Sequence, residues 1–376
     1  MAVDVVELLS ELIAADTVGK GERELSERCQ AILTEAGMQS SLVEFEPGRE
    51  QLVATVGGDE PLTLTGHLDV VPVNRDDWNS DPFEATIDGD KLTGRGASDM
   101  KSGVAALVVA VAEHAARDHD CRGVQVVLTA GEETGCTGAF EIPADAVRRG
   151  GPLLVAEPTQ NKLVPGHKGG LWMRLQAHGV AAHGSAPDLG DNAVVKLSRA
   201  ATALHDYSDW PDSDSFGLVT ANVGVLRGGV QTNVVPDYAE LLLDMRHGPS
   251  VEPESLRATV RELAGDQVEV EDSVVLPPID TPSDDPFVGL VQEALRERSQ
   301  DDAIAPAARY FTDASALSFL LATDGGAVPT VILGPGEPDQ CHVANEWCSV
   351  EKLREAVEIY RVILNRWCDE SSDLAG

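Results

Sequence analysis

An α/β fold built on a mostly parallel sheet and interrupted by a smaller α+β unit is what this 376-residue sequence predicts. Three observations carry the prediction. Short apolar strands alternate with helical stretches up to about residue 156 and again after residue 286, the rhythm of a layered structure with crossover helices. From Leu171 the order changes to strand, helix, strand, strand, helix, strand, a ferredoxin-like βαββαβ unit. The composition, 43% apolar and 24% charged, suits two or three domains with buried cores, and no stretch reaches the ~18 uninterrupted apolar residues of a membrane span.

Residues 3–14 place apolar side chains at helical spacing, and 22–36 do the same before stopping at Gly37, which predicts a glycine C-cap. Strands are expected at 51–56 and 62–66, a long buried helix over 99–117, and strands at 123–129 and 152–156. In the inserted unit the strands fall at 171–178, 218–226, 239–246 and 267–274, with helices at 192–207 and 253–263. Pro277, Pro278, Pro282 and Pro286 then mark a return linker. A helix over 287–298, a strand at 330–333 and a closing helix over 350–367 complete the chain. The expected domains are 1–170 together with 283–376, and the insert 171–282.

Lys and Arg number 28 against 63 Asp and Glu, a net charge of −35 that repels phosphate backbones and anionic lipid. Nucleic-acid and membrane partners are therefore not expected. The acid excess is spread along the chain rather than gathered in one block, which points to a solvated acidic surface and a salt-rich cytosol, where screening shortens the reach of self-repulsion. Cys29, Cys121, Cys136, Cys341, Cys348 and Cys368 form no C-x-x-C and are too sparse for a disulfide framework, so reduced thiols are expected. The first eleven residues carry Asp4, Glu7 and Glu11 and lack a basic start, and a cytoplasmic location is expected.

Potential ligands stand where strands end. In LTLTGHLDVVP, His67 and Asp69 are two apart, so period-2 geometry turns both to one side: a ligand and its supporting carboxylate, or a turn histidine beside an exposed acid. In GRGASDMKSG, Asp99 precedes a helix and is either an N-cap or part of a loop folded closely around a site, which Gly94, Gly96 and Gly103 would suit. In VVLTAGEETG, Glu132 and Glu133 follow a buried strand, where adjacent acids repel unless a cation or proton lies between them. Their side chains diverge, so one could bind metal while the other moves a proton. Glu157 follows the next strand, and His342 lies in PGEPDQCHVANEW after the last. Sites of α/β sheets collect at the carboxyl ends of strands, and two histidines with three carboxylates suit a pair of zinc-type ions sharing one carboxylate. Cys341, beside His342, reads as a small buried side chain facing away.

These segments resemble the cocatalytic zinc metallopeptidases and deacylases that include acetylornithine deacetylase, succinyl-diaminopimelate desuccinylase, aminoacylase and glutamate carboxypeptidase. GHLDVVP, GRGASDMKSG, GEETG, AEPT, HGSAPDLGDNA, TNVVPD, LDMR and CHVANE stand in that family's order over nearly the whole chain. The resemblance implies two Zn2+ per chain, replaceable by Co2+ or Mn2+, with His67 and Glu157 on one ion, Glu133 and His342 on the other, and Asp99 bridging. It implies that Asp69 orients His67 and that Glu132 is the general base. The insert would be a lid and dimerisation domain, with His183 as oxyanion donor and Asn233 and Arg246 holding substrate.

The activity so implied is hydrolysis of a small N-acyl amino acid of the acetylornithine, acetyl-lysine or succinyl-diaminopimelate type, by a homodimer. A dipeptidase or exo-carboxypeptidase on the same residues is the alternative, and a non-catalytic metal or amino-acid-binding protein is more remote because it would not need Glu132. Some succinyl-specific relatives carry an arginine shortly after the aspartate of a Thr/Ser-Asp segment. Here Tyr310-Phe311-Thr312-Asp313-Ala314-Ser315 offers Ala and Ser, with Arg309 only upstream, which weighs against succinyl.

Overall fold

The run Leu62–His67 is buried along its whole length and forms a central strand of a six-stranded sheet. The structure is a computed structural model that describes residues 3–117, 122–298 and 302–369, and Cys121 lies outside the described residues. The chain divides into two units, one of Met1–Gly166, Ile279–Pro306 and Thr312–Gly376, the other of His167–Pro278 and Ala307–Phe311.

In the first unit the sheet runs Gln39–Glu46, Arg49–Val56, Val124–Thr129, Leu62–His67, Leu153–Val155, Thr330–Ile332. The last four are parallel, and the first two join as an antiparallel hairpin at one edge. A mostly parallel sheet must be covered on both faces, which explains strands that read as unbroken apolar runs. The helix Lys101–Ala115 is buried on almost every side, as its run Val104–Val111 requires, and it packs among the helices Val5–Ala14, Glu22–Glu35 and Val350–Asp369. Asp4 caps the first of these, its carboxylate accepting from the N–H of Val6 and Glu7 at 2.9 and 3.1 Å. The second ends as its glycine demands: Gly37 has φ +97°, and the N–H groups of Gly37 and Met38 return to the carbonyls of Thr34 and Leu33.

In the second unit four antiparallel strands lie in the order Thr220–Gly228, Tyr238–His247, Gly169–His178, Val268–Leu276, the ferredoxin-like arrangement. Alternate residues Leu171, Met173, Leu175 and Leu241, Leu243, Met245 are buried with Leu197, Leu204, Leu256 and Val260 of the helices Ala193–Asp206 and Pro253–Ala264.

Several features differ from the sequence reading. The strand Gln39–Glu46 has no counterpart there, because at the sheet edge its polar residues stay exposed and blur the alternation. The eight-residue helix Ala314–Leu321 is too short to show a period. The long helix begins at Lys101 rather than 99, with Met100 at its N-cap, so Asp99 is not a cap and its carboxylate is available for other partners. Among the described residues no helix is long and apolar enough to cross a membrane.

Gly103 permits a very close approach in the first unit: a Cβ there would lie 1.9 Å from the carbonyl oxygen of Ala156. Gly103→Ala should therefore destabilise the protein by about 1–3 kcal/mol despite alanine's better helix propensity. Urea titration checks this, and a variant as stable as the parent would show that the helix and the strand end can separate freely.

Candidate metal centre

Parallel strands of the first unit finish at one edge of the sheet, and the residues just beyond their ends converge. His67 is the buried last residue of its strand. Its Nδ1 lies 2.9 Å from the backbone carbonyl of Asp69, so Nδ1 carries a proton and donates, and Nε2 faces inward. There Nε2 is 3.1 Å from Asp99 Oδ1 and 3.7 Å from Glu157 Oε1. His342 approaches the other oxygen of the same carboxylate, with Nε2 3.4 Å from Asp99 Oδ2 and 3.0 Å from Glu133 Oε2. Asp99 thus stands between two imidazoles, with one acid beside each. Ligand atoms of His67, Asp99 and Glu133 all lie within 4.8 Å of one another.

Asp69 supports this centre in two ways. Its carbonyl fixes the His67 ring, while its carboxylate, 3.8 Å from Nδ1, accepts N–H bonds from Gly131 at 2.8 Å and from Glu132 and Glu133 at 3.2 Å. One residue therefore ties the end of the central strand to the turn that carries both glutamates. Glu132 is buried, with its Oε1 3.9 Å from the Cys136 thiol. Asp313, which sequence reasoning places only in a substrate segment, is buried and accepts from the Thr129 hydroxyl on the strand leading to Glu132.

Burial pushes the carboxyls of Glu132 and Glu157 well above the usual range and that of Glu133 upward, and neighbouring acids add to each shift. Burial likewise lifts Asp313 to about 6. Burial opposes charge on His67, but Asp99, Glu157, Glu132 and Asp69 outweigh it and raise the imidazole well above its ordinary value. Hydrogen bonds that His342 donates to the carboxylates of Asp99 and Glu133 raise it to about 10. Burial would also raise Asp99, yet the two imidazoles hold it well below the carboxylate range. In this state protons on the histidines offset the acids. A divalent cation would do so better, since the donors are imidazole nitrogen and carboxylate oxygen and Glu133 Oε1 is buried without a hydrogen-bond partner among the described residues.

Cys341 corrects the sequence reading. It is only partly buried, and its thiol is pushed upward by burial and by Asp99, Glu157 and Glu346, so it lies beside the acids rather than facing away. Cys29, Cys136, Cys348 and Cys368 are buried.

The second unit carries the remaining candidates. His183 is exposed, and its Nδ1 accepts the backbone N–H of Ser185 at 3.2 Å, which leaves the neutral ring's proton on Nε2 as a donor. Gly184 N–H donates to the carbonyl of exposed Asn233 at 2.7 Å, so the two candidate loops are adjacent. Arg246 donates through Nε and Nη2 to Asp244 at 2.7 and 3.0 Å and lies 4.3 Å over the Phe311 ring.

The family model described as Peptidase family M20/M25/M40 matches residues 63–366. A Staphylococcus epidermidis protein named probable succinyl-diaminopimelate desuccinylase is 27% identical, covering 98% of each chain. An acetylornithine deacetylase of Vibrio atlanticus is also 27% identical, covering 96% of this chain and 98% of its own. Among solved structures, an M20 family metallo-carboxypeptidase of Sulfolobus solfataricus shares the fold with a TM-score of 0.80 at 18% identity, covering 97% and 99% of the two chains.

Glu132, Glu133, Glu157, Asp313, His67 and His342 all hold protons more tightly folded than unfolded, so stability must fall as pH rises through their raised values. Asp99, His167, His247 and Lys101 have the opposite sign. The Asp99 window lies below about pH 4, those of the two buried histidines end near pH 6.5, and Lys101, lowered by burial to about 7, opposes the trend only above that pH, so the six raised groups outweigh them. Chelated protein should accordingly lose melting temperature steadily from about pH 5.5 to pH 8.5, and saturating zinc should flatten the slope by replacing the protons. Equal slopes with and without zinc would contradict a shared cation and proton site.

Proposed function

The chain belongs to peptidase family M20/M25/M40 and is a hydrolase of C–N amide bonds; from that premise we propose that it removes the acyl group from a small N-acyl amino acid, using two zinc ions. The observation that carries this reading is Asp99 between two imidazoles, next to a buried Glu132 that is not needed as a ligand. His67 and Glu157 would hold one ion, Glu133 and His342 the other, and Asp99 both. When bound, such ions polarise the scissile carbonyl and bring the acidity of a water molecule close to neutral pH.

The protein's own residues perform the proton movements. Glu132, fixed through its N–H by Asp69 and raised in proton affinity by burial, takes a proton from the attacking water at its carboxylate and later passes it to the leaving amine. His183, with its Nε2–H unspent on Ser185, donates to the developing oxyanion. Arg246, braced by Asp244 and Phe311, keeps Nη1 for a substrate carboxylate, while Asn233 borders the same loop as His183. The names of the relatives, desuccinylase and deacetylase, favour acylated amino acids over dipeptides. The absence of an arginine after Asp313 favours acetyl over succinyl. A charge of −35 supports work in a salt-rich cytosol.

Zinc-loaded protein should turn over N-acetyl amino acids faster than N-succinyl ones and faster than dipeptides. A preference for dipeptides would replace this reading with a dipeptidase or exo-carboxypeptidase. Glu132→Gln should keep both metals and lose about 10²–10⁴-fold in kcat, and loss of metal on substitution would show it to be a ligand instead.

We further propose a homodimer in which His183 serves the site of the neighbouring subunit. Glu132→Ala and His183→Ala proteins should then recover activity when their subunits are exchanged, because one mixed site has both groups intact. Verified heterodimers without recovery would reject service in trans.

A further inference from the structure

Glu346 is fully buried and faces neither imidazole, yet its carboxylate is completely engaged. Oε2 accepts from Arg95 Nη1 at 2.8 Å and from the Gly96 N–H at 3.0 Å. Oε1 accepts from the N–H groups of Ser98 and Asp99 at 2.7 and 2.9 Å. Four donors fill the four lone-pair positions of one carboxylate, and three of them are backbone groups of the loop that ends in Asp99. Glu346 itself stands four residues after His342. Further bonds run between the same two segments: Gly94 N–H donates to the Glu346 carbonyl at 2.9 Å, and the Ser98 hydroxyl donates to the Trp347 carbonyl at 2.7 Å. The short strands Lys91–Thr93 and Trp347–Ser349 pair beside them.

We propose that Glu346 is the positioning residue that sets Asp99 relative to His342, holding the two in a cation-ready arrangement before any ion binds. This rests on the reading of Asp99 and His342 as ligands. The physical case is that a loop containing Gly96 at φ +85° has a flexible backbone, and a carboxylate displaced by an ångström no longer serves two imidazoles at once. Buried N–H groups need acceptors, and a single side chain rooted beside His342 supplies them for the whole loop. Glutamine at 346 would replace one oxygen by a donor amide and set two of the four N–H groups against it, while keeping size and shape.

The test is zinc binding by competition with a chelator, with kinetics measured alongside. Glu346→Gln should bind zinc roughly 10–100-fold more weakly than wild type, with a matching fall in kcat at limiting zinc and KM little changed. In the cobalt-substituted protein its visible spectrum should also change. A folded Glu346→Gln protein with wild-type zinc affinity and an unaltered cobalt spectrum would overturn the proposal. Wild-type protein that takes up no zinc would overturn the metal reading and this proposal together. Should the variant fail to fold, hydrogen exchange on metal-free wild type decides: the amides of Gly96, Ser98 and Asp99 should exchange as slowly as those of the central strands. Fast exchange there would show that the loop is not held and would likewise overturn it.

Discussion

One carboxylate has to satisfy two imidazoles, and much of the first unit is arranged around that requirement. Asp99 offers Oδ1 to His67 and Oδ2 to His342, which leaves its loop little freedom of position. The loop is held from three directions. Glu346 gathers its N–H groups, Gly103 lets the following helix touch the strand end before Glu157, and Lys101 is buried with Nζ on the carbonyls of Leu12 and Ala15 at 2.9 and 3.0 Å. Lys101 thereby also satisfies the carbonyl end of the first helix, so the start of one helix and the end of another are fixed by one ammonium. Removing water from Glu132, Glu133, Glu157, Asp313 and Asp99 is costly, and the fold bears the cost because positive charge, as protons on histidine or as a cation, lies among them.

The division between Glu132 and Glu133 comes from the turn they share. Both donate their N–H groups to Asp69, yet only Glu133 meets an imidazole, His342. Adjacent residues in a turn point apart, so one carboxylate can be committed to the centre while the other retains a proton equilibrium. The same Asp69 aligns His67 through its carbonyl, which couples the ring's tautomer to the position of both glutamates.

What is legible in the sequence is local. Apolar runs ending in His67, Glu132, Glu133 and Glu157 can be read because strand burial and ligand placement fall within a few residues of each other. The βαββαβ order is legible because alternation in Leu171, Met173 and Leu175 is strong. What is not legible depends on distant pairing. Glu346 lies inside a segment notable for His342, but its partners are some 250 positions away, at 95–99, and no periodicity reports that. The pairing of Lys91–Thr93 with Trp347–Ser349 is hidden for the same reason. Cys341 escapes a sequence reading because the left-handed φ of +65° at His342 breaks the rule that neighbours face opposite ways.

Specificity must be sought away from the metal centre, since its residues would act alike on any small amide. In the second unit Asp244 occupies Nε and Nη2 of Arg246 and also accepts from Trp172 Nε1 at 2.8 Å, while Phe311 supports the guanidinium face. A guanidinium so braced presents one remaining edge, which fits a single carboxylate of fixed direction better than a second, movable one. Phe311 is two residues before Asp313, whose carboxylate accepts from Thr129 in the first unit. The short segment between them therefore bears on both the proposed carboxylate-binding side chain and the strand leading to the proposed general base. Ala314 and Ser315 follow directly after Asp313, so on the proposed reading substitutions there alter substrate choice without touching a proposed ligand.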